Sequence, residues 1–232
     1  MRYFNNMKND NFNSSYYSLG RTTCSMVFIF GIFYAIITTL GLFSLQSPHD
    51  TIGNPYFIIM EILSIIISLL MAISLISVHH YSASADKLFS LTALILICFT
   101  TVITSSIHFL ILSVSNTTEA KQLQNFSFFF SFKWPSVAYA LDILAWDLFF
   151  GLSMLFVAII FKKNRFEKKL RALLIICGIL CLIGLIGIPL QNMQIRNIGI
   201  IGYAVIGPIA FLLIGIIFRR QMENERANKT NA

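Results

Sequence analysis

The stretch Lys133–Lys163 reads KWPSVAYALDILAWDLFFGLSMLFVAIIFKK. It opens on Trp-Pro, closes on Lys-Lys, and is long enough to cross a ~30 Å hydrocarbon core at 1.5 Å rise per residue. Two aspartates, Asp142 and Asp147, lie inside its apolar run. A carboxylate at membrane depth costs at least ~2.5 kcal/mol on insertion scales, so these positions ask for a chemical reason.

Outward from this stretch the chain repeats the pattern. Five further apolar runs, Cys24–Leu45, Phe57–Val78, Leu88–Val114, Leu170–Leu190 and Asn197–Phe218, each have the length of a membrane span. The expected fold is an all-α, polytopic integral membrane protein with six transmembrane helices over 24–45, 57–78, 88–114, 136–161, 170–190 and 197–218. Hydrophobic residues make up 56% of the chain and charged residues 12%. Those proportions exclude a soluble domain, because too few polar groups remain to build its surface. Outside the spans lie a polar Asn/Ser-rich tail over 1–23, a tail over 219–232 and one middling loop, Ser115–Lys133. The first run is longer than a signal-peptide core and lacks a small-x-small cleavage site before the turn at Ser47-Pro48, so it reads as a retained helix.

The net charge is +7, and its placement matters more than its size. One set of ends holds Arg2, Lys8, Arg21, Lys87, the run Lys162, Lys163, Arg165, Lys168, Lys169 and Arg171, and then Arg219, Arg220, Arg226 and Lys229. The other set holds only Lys121, Lys133 and Arg196. The positive-inside rule then places both termini in the cytoplasm. The helix carrying DxxxWD (Asp142, Trp146, Asp147) resembles those of multi-pass proteins of bacterial inner membranes, which implies that membrane as the expected location. The basic run between the fourth and fifth spans is positioned to meet anionic lipid headgroups, at ~1 kcal/mol each near the surface. No nucleic-acid partner follows from this charge, since it serves topology. Four cysteines, Cys24, Cys98, Cys177 and Cys181, fall in the spans without a CxxC pair, so neither a disulfide framework nor a metal site is expected.

Several local features fix expectations for the bundle. Asn54 is placed to cap the second helix with Pro55 in its first turn. Tyr34, Thr38, Thr39 and Ser44 give the first helix a mildly polar side whose hydroxyls can bond back to their own backbone. Adjacent His79 and His80 point to different faces, which suits interfacial groups rather than a shared metal. Thr101, Thr104 and His108 recur at i, i+3 and i+7, so one face of the third helix is polar and should look into the bundle. The loop segment NFSFFFSFKW (125–134) reads as an interfacial belt, or as a lid over one opening of the bundle. Gly178, Gly184, Gly187, Gly199, Gly202, Gly207 and Gly215 allow close helix approach, within the chain or in a homo-oligomer. Gly207-Pro208 should kink or loosen the sixth helix.

Depth connects the ionisable groups. Glu61 lies six residues past Pro55, Asp142 seven past Pro135, and His108 six before Val114. All three therefore sit about 9–10 Å below the same boundary, the one facing away from the cytoplasm. Asp147 lies about 18 Å down and ~140° around a regular helix from Asp142, which makes it an outlier. Trp146 shares a face with Asp142 and, with Thr104, is expected to line the site. Ionisable groups inside spans usually face the bundle and mark a pathway or site.

Glu61, His108 and Asp142 thus define the expected intramembrane site. A proton-linked transporter of small molecules, lipids or other hydrophobes would load and release protons on the carboxylates, with His108 (unperturbed pKa ~6.5) as relay. An intramembrane acid–base enzyme on a lipid-like substrate would use the same groups. In a non-catalytic assembly or sensor protein they would form a polar knot, a protonated carboxyl bonding the Thr/Ser stripe. No HExxH, GxSxG or Walker motif appears, so no cofactor is expected and enzyme chemistry ranks below transport.

Overall fold

The computed structural model describes residues 2–47, 50–115 and 117–230, with side chains over 15–228 of these; the expected turn residue Pro48 lies outside them. Every regular element among the described residues is helical, and six helices are long and apolar enough to cross a membrane. They are α1 (Arg2–Phe43), α2 (Tyr56–Tyr81), α3 (Lys87–Ser113), α4 (Val137–Ile160), α5 (Arg165–Ile186) and α6, which starts at Met193 and ends as Gly207–Thr230. Two short helices, Thr118–Lys121 and Phe126–Phe130, occupy the long loop between α3 and α4.

The helix starts have local causes. The Ser136 hydroxyl accepts from the Tyr139 N–H at the head of α4, and Asn192 Oδ1 accepts from the N–H groups of Gln194 and Ile195 at the head of α6. Asn164 and Glu167 form a reciprocal capping pair at α5. At α2 the capping position belongs to Pro55, and no side chain bonds the first turn, so Asn54 does not act as the cap expected of it. α1 begins at Arg2 rather than Cys24, so the stretch read as a polar tail continues the helix that follows it.

Each helix packs on its chain neighbours, and α6 closes the ring against α1. A Cβ on Gly20 would meet Phe218 and Ser77, whereas one on Gly41 would meet Ile52 and Tyr56. With Gly31 against Pro208 as well, α1 runs antiparallel to both α2 and α6, so the start of α1 and the end of α6 share one face of the bundle. The exterior is apolar, with Ile29, Ile32, Phe33, Ile36 and Leu40 exposed along α1 and Leu91, Ile95, Phe99 and Val102 along α3. The interior holds Ser64, Ser68, Ser74, Thr100, Thr101 and Ser153 beside Phe150, Met154 and Phe211. That inversion of a soluble protein's pattern is what lipid as solvent demands.

The polar side of α1 behaves as its composition suggests: Thr38, Thr39 and Ser44 donate to the carbonyls of Tyr34, Ala35 and Gly41 in their own helix. The small residues of α5 and α6 are used within the chain. A Cβ on Gly184 would lie 2.7 Å from Gly199 Cα, and one on Gly178 would lie 2.6 Å from Gly151 O in α4. The Cys177 thiol donates to Gly202 O at 3.1 Å across the same α5–α6 contact. Loosening of α6 takes the form of a π-helical turn, Ile201–Ile206, directly before Gly207-Pro208. Proline lacks the N–H that an unbroken α-helical ladder needs there, and a wider turn accommodates the loss. A second π-helical turn, Leu144–Phe150, interrupts α4.

Candidate functional site

The structure brings Glu61 of α2, His108 of α3 and Asp142 of α4 together near the face opposite the termini. His108 Nδ1 lies 2.8 Å from Glu61 Oε2, and Nε2 lies 3.7 Å from Asp142 Oδ1. Exposures of 3%, 5% and 9% put all three inside the bundle. The 2.8 Å contact is a hydrogen bond in which Nδ1–H donates when Glu61 is ionised and the carboxyl donates when Glu61 holds the proton. At 3.7 Å Nε2 is near Asp142 without a direct hydrogen bond, which leaves it able to gain or release a proton. Two carboxylates thus share one imidazole.

The roof of this cluster comes from the loop. Phe132 stacks on the His108 ring at 5.1 Å between centroids and sets its edge against Phe57 and Tyr139. The polar stripe of α3 is buried as its spacing implies, but its hydroxyls do not bond the carboxylates. Thr101 donates to Ser68 O at 2.9 Å, and Thr100 donates to Ala145 O at 3.1 Å inside the π turn of α4. The Thr104 hydroxyl is fully buried without a hydrogen-bond partner. A knot of protonated carboxyl and threonine hydroxyls is therefore not how this region is bonded.

Beside the triad is a second charged pair that the sequence did not suggest. Asp147 Oδ2 lies 3.6 Å from Arg196 Nε, and the two residues are 0% and 1% exposed. Arg196, counted from sequence as a charge outside the spans, is in fact the largest fully buried side chain among the described residues. Its guanidinium donates to Tyr203 Oη at 3.2 Å and lies over the Tyr139 ring at 4.7 Å. Trp146 packs on Tyr203 at 5.3 Å and on Phe150 at 5.5 Å, so it walls this second cluster. Asp147 sits in the π turn of α4 and Tyr203 in that of α6. A π turn alters the angular step between residues, so the ~140° offset expected of a regular helix does not govern where Asp147 points. Gly199 lets the carboxylate approach α6, since a Cβ there would fall 2.3 Å from Asp147 Oδ1. Asn192, which caps α6 only four residues before Arg196, was the available sign that this arginine belongs to a helix.

At the terminal face a fourth carboxylate is handled differently. Glu167 Oε1 accepts from Tyr81 Oη at 2.9 Å and Asn164 Nδ2 at 3.0 Å, while Oε2 accepts from the backbone N–H groups of Lys162 and Lys163 at 3.0 and 2.8 Å. Of the basic run, Lys162 pairs with Asp86 at 2.8 Å and Lys163 lies over the Tyr81 ring at 4.3 Å. Arg165, Lys168, Lys169 and Arg171 remain exposed. His79 bonds Ser90 Oγ at 2.8 Å, and His80 stacks on Tyr16 at 4.2 Å.

Among the described residues no three His, Cys, Asp or Glu side chains are grouped to hold a metal ion. Neither a protein-family model, nor a curated protein, nor a solved structure matches the chain. Six long apolar helices make it a multi-pass membrane protein, and its finer reading rests on its own residues.

Proposed function

We propose that this protein is a proton-linked carrier for a small molecule or a lipid-like hydrophobe, with Glu61, His108 and Asp142 as its proton-loading site. The observation that supports this is a buried imidazole held between carboxylates from two other helices, at 2.8 and 3.7 Å. Moving one proton among these groups changes how strongly α2 and α4 are drawn to α3, because a charged pair in low dielectric attracts far more than a neutral one. Protonation is thereby coupled to helix packing, which is what a carrier needs. Phe132 over His108 supports the loop as the lid on this site.

The test uses proteoliposomes loaded with the pH dye pyranine and challenged with gradients of amphipathic carboxylates and amines. Solute-driven proton movement that disappears in Glu61→Gln and in Asp142→Asn is the expected result. Proton movement unchanged in both variants, or solute flux without protons, would sink the reading. Turnover of extracted lipid in detergent, with no gradient, would replace it by acid–base catalysis.

The same reading puts both termini in the cytoplasm of a bacterial inner membrane, with Arg165, Lys168, Lys169 and Arg171 against anionic headgroups. Lys162 and Lys163 contribute less there, being engaged by Asp86 and Tyr81. A homo-oligomer would have to form through apolar exterior faces, because the glycines of α5 and α6 discussed above are spent inside the chain.

A further inference from the structure

The Arg196–Asp147 pair is buried but poorly made. Its closest approach is 3.6 Å, it contains no hydrogen bond, and Asp147 Oδ1, Asp147 Oδ2 and Arg196 Nε are all buried without a hydrogen-bond partner. A buried ion pair is stable when its geometry is good and its remaining donors and acceptors are filled. Here both conditions are missing, at a point where two helices carry π-helical turns side by side. Such turns recur at functional sites.

We propose that Arg196 anchors a binding site for an apolar monocarboxylate, whose carboxylate takes the guanidinium while Asp147 takes a proton. A guanidinium is built to hold a free carboxylate through two parallel N–H···O bonds. Asp147, approaching only Nε and from a helix that fixes its position, does not achieve this. The exchange is electroneutral. Before it, Arg196 is balanced by Asp147; after it, Arg196 is balanced by the ligand, and the proton taken from solution sits on Asp147. The protonated carboxyl then has an O–H to donate to the ligand's second oxygen. Tyr139 and Tyr203 lie over the guanidinium, Trp146 packs on Tyr203 and Tyr139 meets Phe132 of the loop, so the ligand's apolar body would have to part these rings and take their place.

The charged and titratable groups around Asp147 come from several helices. Arg196 and Tyr203 face it from α6, Tyr139 and Asp142 from α4 itself and Cys181 from α5, while Tyr34 of α1 acts on it through Tyr203, and His108 of α3 and Glu61 of α2 through Asp142. Arg196 is the only one of these that is positively charged at every pH of interest, so an incoming anion has one partner to find. This inference stands apart from proton loading at His108, since it concerns equilibrium binding and needs no gradient.

The experiment is calorimetric binding of 1-naphthoate to the purified full chain in detergent at pH 6, 7 and 8, against empty micelles, with 1-naphthylmethylamine as the charge-reversed control. Binding should tighten as the pH falls, by about tenfold per unit over the range where Asp147 is ionised before the ligand arrives, and level off below it. Asp147→Asn should bind more tightly than the native chain at pH 8 and lose the pH dependence, because an amide stands in for the protonated acid. Arg196→Gln combined with Asp147→Asn keeps the site neutral, so that the chain folds, and should lose binding. The proposal is overturned if naphthoate does not bind at pH 6, if the amine binds as well, or if Asp147→Asn binds no tighter. Naphthoate binding with no proton flux in liposomes would remove the proton-loading role of His108 and leave this site standing.

Discussion

Glu167 and Asp147 are equally hidden, at 1% and 0% exposure, and their bonding is opposite. Glu167 accepts four hydrogen bonds, two on each oxygen, from Tyr81, Asn164, Lys162 and Lys163. Asp147 accepts none. Burial is the same, so burial does not distinguish a structural carboxylate from a reactive one; the state of its acceptors does. A filled carboxylate has nothing to gain from a proton or a ligand, whereas an unfilled one in low dielectric gains from either. Glu167 ties α5 and the loop before it to α2. Asp147 leaves α4 and α6 joined by attraction without a bond. The triad stands between the two, with one short contact at 2.8 Å and one long contact at 3.7 Å.

The sharpest way to break the comparison is Arg196→Met. It strands Asp147 as an uncompensated buried charge and should cost about 3–5 kcal/mol. Adding Asp147→Leu should recover that loss or exceed it by about 1–4 kcal/mol, as apolar replacements of buried ion pairs do. The single variant's loss should also shrink as pH falls, since a proton removes the stranded charge, while the double variant shows no such trend. Unfolding in mixed micelles, followed by tryptophan fluorescence, reads both. A single variant as stable as the native chain would mean that Asp147 is already neutral in the native protein.

Glu167→Ala should come next in size, on the order of 3 kcal/mol, because several donors lose a charged acceptor together. Its signature differs from that of Arg196→Met. Adding a second substitution at Tyr81 should not restore stability, since the backbone N–H groups of Lys162 and Lys163 stay unpaired. The folded fraction should bind naphthoate with unchanged affinity. Altered affinity would mean that the terminal face and the Arg196 site are coupled through the bundle.

How much of this was legible from sequence depends on which regularity carried the information. Span length fixed six helices, and constant helical rise put Glu61, His108 and Asp142 at one depth, where their side chains meet. The same arithmetic failed for Asp147, because it assumes a regular helix and residues 144–150 form a π turn. Arg196 was misplaced because a lone arginine near a span end looks like a topology signal; that α6 starts at Met193, and not at Asn197, is a consequence of the Asn192 cap. Glu167 was hidden inside KKNRFEKKLR, where the basic residues drew the reading to lipid and the Asn-x-x-Glu capping pattern was present but unused. Phe132 over His108 follows from the path of a loop, for which no periodicity exists.

The smallest predicted effect tests why the π turn of α4 exists at all. A turn of this kind interrupts the α-helical bonding ladder and leaves a carbonyl to be met from outside it. Thr100 of α3 meets Ala145 O with its hydroxyl at 3.1 Å. Valine at position 100 keeps the shape and removes the donor, so Thr100→Val should cost about 1 kcal/mol, the worth of one such bond. The loss should be local. Amide hydrogen exchange over 144–150 should quicken, while the α5 amides keep their rates. If exchange over 144–150 is unchanged, the turn is held by the packing of Trp146 and Phe150 instead, and Asp147 owes its position to aromatic contacts from α6 rather than to a hydrogen bond from α3.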